Sequence, residues 1–203
     1  MSKVLKKDFF IGSTEEITQR LLGKLLCRSI GTRIWKGKIV EAESYLGEKD
    51  LAAHASHGRT KRTETMYGPP GHAYVYLIYG MYNCLNVVTQ EEGTAEAVLI
   101  RALEPIVLDG EKIVPDQDAY EGRSIEKILN GPGKLCREFQ IDKSLNGATF
   151  SRKNGLWLEE YEDIPPERIV RAKRIGVEYA KQWKDKPLRF YIKDSSFVSK
   201  KNI

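Results

Sequence analysis

A chain of 203 residues, 41% hydrophobic and 30% charged, has the composition of a globular protein large enough for one substantial core. No apolar run approaches the ~20 residues that span a bilayer, and MSKVLKKDFF (1–10) lacks the apolar centre of a signal peptide; no membrane partner and a cytoplasmic location are expected. The net charge of +5, with clusters at RTKR (59–62) and RIVRAKR (168–174), favours a polyanionic partner, while three cysteines without a CxxC pair argue against a disulfide framework or structural zinc.

Ser13 and Glu16 have the spacing of a capping box, and the apolar period after them predicts a helix over 14–26. Residues 32–45 carry Ile34, Ile39, Val40 and Tyr45, which predicts two strands joined by a turn at Lys36-Gly37-Lys38. Residues 46–71 are poor in branched apolar residues and end in Gly-Pro-Pro-Gly. A long loop of this kind, with one short helix at most, is often functional. Strands follow at 74–79, 82–89 and 97–103, then short helices at 125–129 and 134–139, separated by Gly131-Pro132-Gly133. Late strands are expected at 156–158, 169–177 and 188–192, with 169–177 equally open to a helical reading. The elements show no βαβ rhythm. The expected fold class is α+β, one domain over 1–203.

The stretch YVYLIYGMYNCLN (74–86) holds four of the chain's ten tyrosines. Read as a hairpin, its connection is Gly80-Met81, a preferred pair for a two-residue turn. Alternation puts Tyr74, Tyr76 and Ile78 on one face, and Cys84, Asn86 and Val88 share a face of the return strand. Tyr74 and Tyr82 read as sheet packing, since tyrosine favours strands. Tyr79 falls at the tip, and an aromatic ring there in a basic protein has the shape of a wedge for a nucleic-acid stack. Sheet packing remains the other reading for it.

Upstream, IVEAESYLG (39–47) aims Glu41, Glu43 and Tyr45 the same way along a strand. A solvated strand face is the plain reading of these carboxylates. Glu43, between Ala42 and Ser44 and just ahead of the long loop, is the candidate general base for a water, a role commonly worth about 10²–10⁴ in rate. His54 and His57 are too few for a metal site, which needs three or four convergent ligands; no metal or cofactor is expected. Arg101 in VLIRAL stands in an apolar strand. It either pairs with a buried carboxylate or reaches solvent from the strand's end.

Five segments in order resemble the alkyladenine (3-methyladenine) DNA glycosylase family: IVEAESYLGEKDLAAH (39–54), MYGPPGHAYVYLIYGMYNCLNVV (66–88), VLIRALEP (98–105), NGPGKLC (130–136) and KPLRFYI (186–192). The resemblance runs from about Asp8 to Ser199. Around 91–96 this chain carries two residues more than the vertebrate pattern.

The resemblance implies a mixed domain around a curved antiparallel sheet, with a protruding hairpin that enters the DNA minor groove. Its partner would be duplex DNA containing damaged purines, met by a monomer. Glu43 would be the catalytic base, with Arg101 and the backbone carbonyl of Ile175 holding the water. Tyr45, His54, Tyr76 and Asn86 would enclose the extruded base, and Tyr79 would fill its place in the stack. Arg59, Met81, Tyr82 and Gly176 would touch the phosphate backbone. The implied activity is base excision repair by a monofunctional glycosylase that leaves an abasic site. Alkylated purines are the expected substrates, with deaminated and etheno purines as further candidates. Two rivals from the residues alone are a DNA binder without chemistry and a glycoside hydrolase using Glu41 with Glu43.

Overall fold

The computed structural model describes residues 3–108, 111–112 and 124–201. Helix α1 (Thr14–Leu21) begins at Ser13, with Glu15 and Glu16 in a first turn whose free N–H groups favour negative charge. The Ser13 side chain makes no capping hydrogen bond, so the capping box expected from the spacing does not form. The helix stops five residues earlier than its apolar period suggested. Gly23, at φ +84°, turns the chain into strand β1 (Leu25–Ile30). A Cβ there would also meet the Glu162 carbonyl oxygen at 2.5 Å. The Leu25-Leu26-Cys27 run pairs with strands on both sides, and a short apolar run of this kind reads alike as helix or strand.

Strand β2 (Arg33–Leu46) is the spine of the sheet. Its first half pairs with β1 and its later half with β10 (Arg189–Ile192), while β5 (Glu96–Pro105) runs along the other edge. Hairpin strands β3 (Ala73–Ile78) and β4 (Tyr82–Thr89) extend the sheet beyond β5. Strand β8 (Leu156–Glu159) extends it beyond β1, and β9 (Ile169–Ala172) pairs with β10. Every pairing is antiparallel, and the eight strands form a curled half-barrel. The short pair β6 (Val107–Leu108) and β7 (Glu111–Lys112) lies apart from it. With α1 and α2 (Pro132–Glu138) as its two α-helices among the described residues, the fold is α+β.

The turn expected at Lys36-Gly37-Lys38 lies instead at Gly31-Thr32, where Gly31 takes φ +58°. Gly37 is inside β2, and it is glycine because the sheet crowds it. A Cβ added there would meet the Leu103 side chain at 2.9 Å. The long loop holds three 3-10 turns rather than one helix: Gly47–Lys49, His54–His57 and Glu64–Tyr67. The strand expected over 169–177 ends at Ala172. Of the two late helices, 125–129 is a single 3-10 turn, and α2 starts at Pro132, where a missing N–H costs nothing.

Leu21, Leu22, Leu26, Val40, Leu85, Ile100, Leu135, Phe139 and Phe190 build the main core under the concave sheet. Helix α1 is also pinned by buried hydroxyl pairs, Thr14 to Thr89 and Thr18 to Ser44, each at 2.7 Å. Replacing Gly37 by alanine should lower stability by about 1–3 kcal/mol through overpacking against Leu103, read as a fall in denaturation midpoint at constant m-value.

Candidate active site

Within β2, Glu41 and Glu43 are both fully buried, which overturns the solvated-face reading. The β2–β5 register slips beside them: Glu41 sits opposite Ala102 and Ala42 opposite Ile100, so Arg101 faces no partner residue. Such a bulge re-aims a side chain. Arg101, only 6% exposed, donates from Nε to Glu41 Oε1 at 3.1 Å, and its Nη1 lies 3.2 Å from Glu43 Oε1. Burial would lower its ionisation, but Glu43 and Glu41 together raise it above the ordinary arginine value. The arginine is paired, not snorkelling.

The two carboxylates are bound differently. Glu41 Oε1 accepts from Arg101 Nε, Arg189 Nη1 at 3.0 Å and Ser199 Oγ at 2.9 Å, and Oε2 accepts from Ser199 N at 2.7 Å. Three of those four bonds fall on Oε1. Glu43 accepts two: Oε1 from the Ile175 N–H at 2.9 Å, and Oε2 from the Tyr45 hydroxyl at 2.9 Å, with Arg101 Nη1 beside Oε1 as an ion pair. Oε2, with one donor, has room for another. Ile175 reaches Glu43 through its N–H, not through the carbonyl that the resemblance singled out.

All three partners of Glu43 line a cavity of about 660 Å3. Tyr45, His54, Tyr76, Asn86, Arg101, Ile175 and Gly176 meet there, with Tyr79 at its edge. Glu43 lies behind them. The aromatic wall is tight: His54 packs edge-on against Tyr76 with ring centres 4.5 Å apart, and Tyr74 and Tyr76 are tilted at 5.4 Å. Burial, with Arg62 and His57 nearby, depresses His54 to about 4. Its Nε2 faces the Arg62 guanidinium at 3.4 Å, which leaves Nδ1 to donate to the Tyr74 hydroxyl at 2.9 Å. The Asn86 amide donates to the Tyr74 carbonyl at 3.1 Å from the buried part of β4. Burial and then Glu43 push the Tyr45 hydroxyl well above its usual value, so it serves as a donor.

The hairpin tip differs from expectation. Ile78 pairs with Tyr82, so three residues, Tyr79-Gly80-Met81, make the connection. Tyr79 takes φ +52°, an uncommon region for a bulky residue, and is 79% exposed. Met81 is also exposed, and so is Tyr82, which was expected to pack the sheet as the buried Tyr74 does. Tyr82 rests on Gly133, where a Cβ would meet its own Cβ at 3.0 Å. Residues 90–95 join β4 to β5, with Gln90 and Gly93 at positive φ. Arg59 stands away from the cavity, in an exposed bidentate pair with Glu64 and over the Tyr67 ring.

Sequence reasoning missed Arg174, counted there with the surface charge. It is buried, bound to Asp50 at 2.5 and 2.8 Å and to the Ser44 carbonyl at 2.9 Å, and lies over the Tyr45 ring. Burial opposes its charge, and the Asp50 pair raises its ionisation overall. Asp50 also accepts from the Leu46 and Ala52 N–H groups, fixing the segment that follows Tyr45 at the end of β2. No local signal marks a pair 124 residues apart. Among the described residues no group of three or more His, Cys, Asp or Glu could hold a metal, and no helix is long and apolar enough to cross a membrane.

The site is thus an aromatic cavity backed by a buried carboxylate on a curled antiparallel sheet. The family follows from comparison: the methylpurine-DNA glycosylase family model matches residues 8–196, and the chain belongs to that family. A relative from Methanocella arvoryzae is 47% identical over 98% of this chain and 96% of its own. Relatives from Clostridium perfringens strain SM101 (97% and 99% covered) and Legionella pneumophila strain Lens (97% and 98%) are each 45% identical. All three bear the name "Putative 3-methyladenine DNA glycosylase".

Two outcomes test this geometry. The depressed His54 keeps its ring neutral in the fold while the unfolded chain takes up a proton, so its share of stability is lost as pH falls from about 6.5 towards 4. An NMR titration should place its midpoint near 4, and His54→Gln should flatten the stability profile in that window. Asp50→Ala should cost about 3–5 kcal/mol by stranding Arg174, measured by chemical denaturation.

Proposed function

We propose that this chain is a monofunctional DNA glycosylase of base excision repair, hydrolysing the bond between a damaged purine and its sugar. The observation that carries the reading is the unequal pair of buried glutamates. Glu41 accepts four hydrogen bonds, most of them from Arg189 and Ser199 away from the cavity, whereas Glu43 accepts two, has room for a further donor on Oε2, and has all its partners on the cavity wall. A water on that remaining site would be deprotonated as it attacks the sugar carbon, and the negative charge would stabilise the oxocarbenium-like transition state. Arg101 holds Glu43 in place and flanks the same space. The Ile175 N–H also holds Glu43, and the carbonyl of Ile175 would be a further acceptor for the water.

A base within a duplex is out of reach, so the nucleotide must be flipped out, at a cost of a few kcal/mol. Tyr79 at the exposed tip would enter from the minor groove and offset that cost by stacking, worth about 1–3 kcal/mol. Its left-handed backbone is the kind of local strain that gathers at functional sites. The vacated purine fits a cavity walled by Tyr45, His54 and Tyr76, with Asn86 on the strand behind them. Tyrosine faces attract a cationic alkylated base by roughly 0.5–2 kcal/mol, and a neutral His54 adds no repulsion. Hypoxanthine and ethenoadenine lack that charge and would need a hydrogen bond from the wall, with the backbone of His54, or its side chain after exchanging a partner, as the candidate donor. Met81, Tyr82 and Gly176 would contact the phosphate backbone. Arg59 would have to exchange Glu64 for a phosphate. One domain, acting as a monomer, suffices for this scheme.

No lysine lines the cavity among the described residues, so no Schiff base with the abasic sugar is part of the scheme. A two-carboxylate glycoside hydrolase is disfavoured because Arg189 and Ser199, which do not line the cavity, hold Glu41, whereas every partner of Glu43 lines it.

The test is release of base from duplexes carrying ethenoadenine, hypoxanthine or methylated purines, read as strand breaks appearing only after alkali. Glu43→Gln should lower release by about 10²–10⁴ and still bind DNA. If wild type binds these duplexes and releases nothing, the chemistry assigned to Glu43 is wrong. Tyr79→Gly should leave the melting temperature unchanged or higher, because glycine tolerates positive φ. It should slow base release about ten- to hundredfold through the lost stack.

A further inference from the structure

Beyond the aromatic wall, the cavity has one charged neighbour with no structural task. Apart from Arg101, which two buried glutamates neutralise, Glu178 is the other charged residue on the lining, since His54 is held neutral. Glu178 is exposed, and no ion pair or hydrogen bond engages its carboxylate among the described residues. Its position is nonetheless fixed. Ala180 N–H donates to the Val177 carbonyl at 3.0 Å, closing a turn with Glu178 and Tyr179 at its centre. Val177 and Ala180 are buried against Ala52, and the Tyr179 hydroxyl donates to the Ala52 carbonyl at 3.1 Å. The turn continues directly from Ile175, which grips Glu43.

A free carboxylate at this mouth is costly for a protein that receives a polyanion, because it repels phosphate. A compensating gain requires a cation at the same place. Alkylation at a purine ring nitrogen creates one, whereas deamination to hypoxanthine does not. We propose that Glu178, held out by the 177–180 turn, biases the cavity toward cationic alkylpurines over neutral damaged purines. It is a specificity residue and takes no part in bond breaking. The proposal rests on the glycosylase reading and names the substrate class within it.

The experiment compares single-turnover release of 7-methylguanine and of hypoxanthine from otherwise identical duplexes, at saturating enzyme. The 7-methylguanine to hypoxanthine rate ratio should fall about three- to tenfold in Glu178→Gln and further in Glu178→Lys, with Glu178→Asp restoring most of it. Undamaged duplex should bind the Lys variant more tightly, with a steeper salt dependence, which a folding defect would not produce. An unchanged ratio in both Gln and Lys variants, with wild type active, overturns the proposal alone. Wild type that releases neither base overturns the glycosylase reading and this proposal with it.

Discussion

The structure turns on one buried arginine held between two buried carboxylates. Burying three charges is costly, and it is tolerated only where every partner is in place. Glu41 supplies that security: its oxygens are held by Arg101, Arg189 and the Ser199 N–H and hydroxyl, which tie β2, β5, β10 and the chain's last described turn together. Arg101, so anchored, can hold Glu43 without collapsing onto it. The slipped β2–β5 register makes this possible, because an unbroken ladder would give Arg101 a facing neighbour. The sheet's irregularity and the site's chemistry are one feature.

Around this triad the cavity is kept nearly free of net charge. His54 is neutral by burial, the tyrosines stay protonated, and Arg174 spends its charge on Asp50 behind the Tyr45 ring. The negative groups about this aromatic space are Glu43 at its back and Glu178 at its rim.

Much of this was legible in the chain. The hairpin, β5 and the late strands β8 and β10 were expected close to where they lie, while Glu43 stood out by its small neighbours ahead of a long loop and Arg101 as a charge in an apolar strand. What failed to show depended on tertiary contact. Gly37 reads as a turn until Leu103 is seen pressing on it, and Leu25-Leu26-Cys27 reads as helix until strands cover both its faces. Arg174 looks like surface charge because its partner Asp50 lies 124 residues away. Glu178 carries no sequence signal at all; only the turn that presents it gives it meaning.

The contact between Tyr82 and Gly133 has a mechanical consequence. A hairpin that leaves the sheet is a cantilever, and its stiffness depends on where it is propped. Here the prop is the start of α2, seated directly under the base of the tip. A Cβ at Gly133 would press on Tyr82 from 3.0 Å, and a shift of a few tenths of an ångström there would move the hairpin's prop.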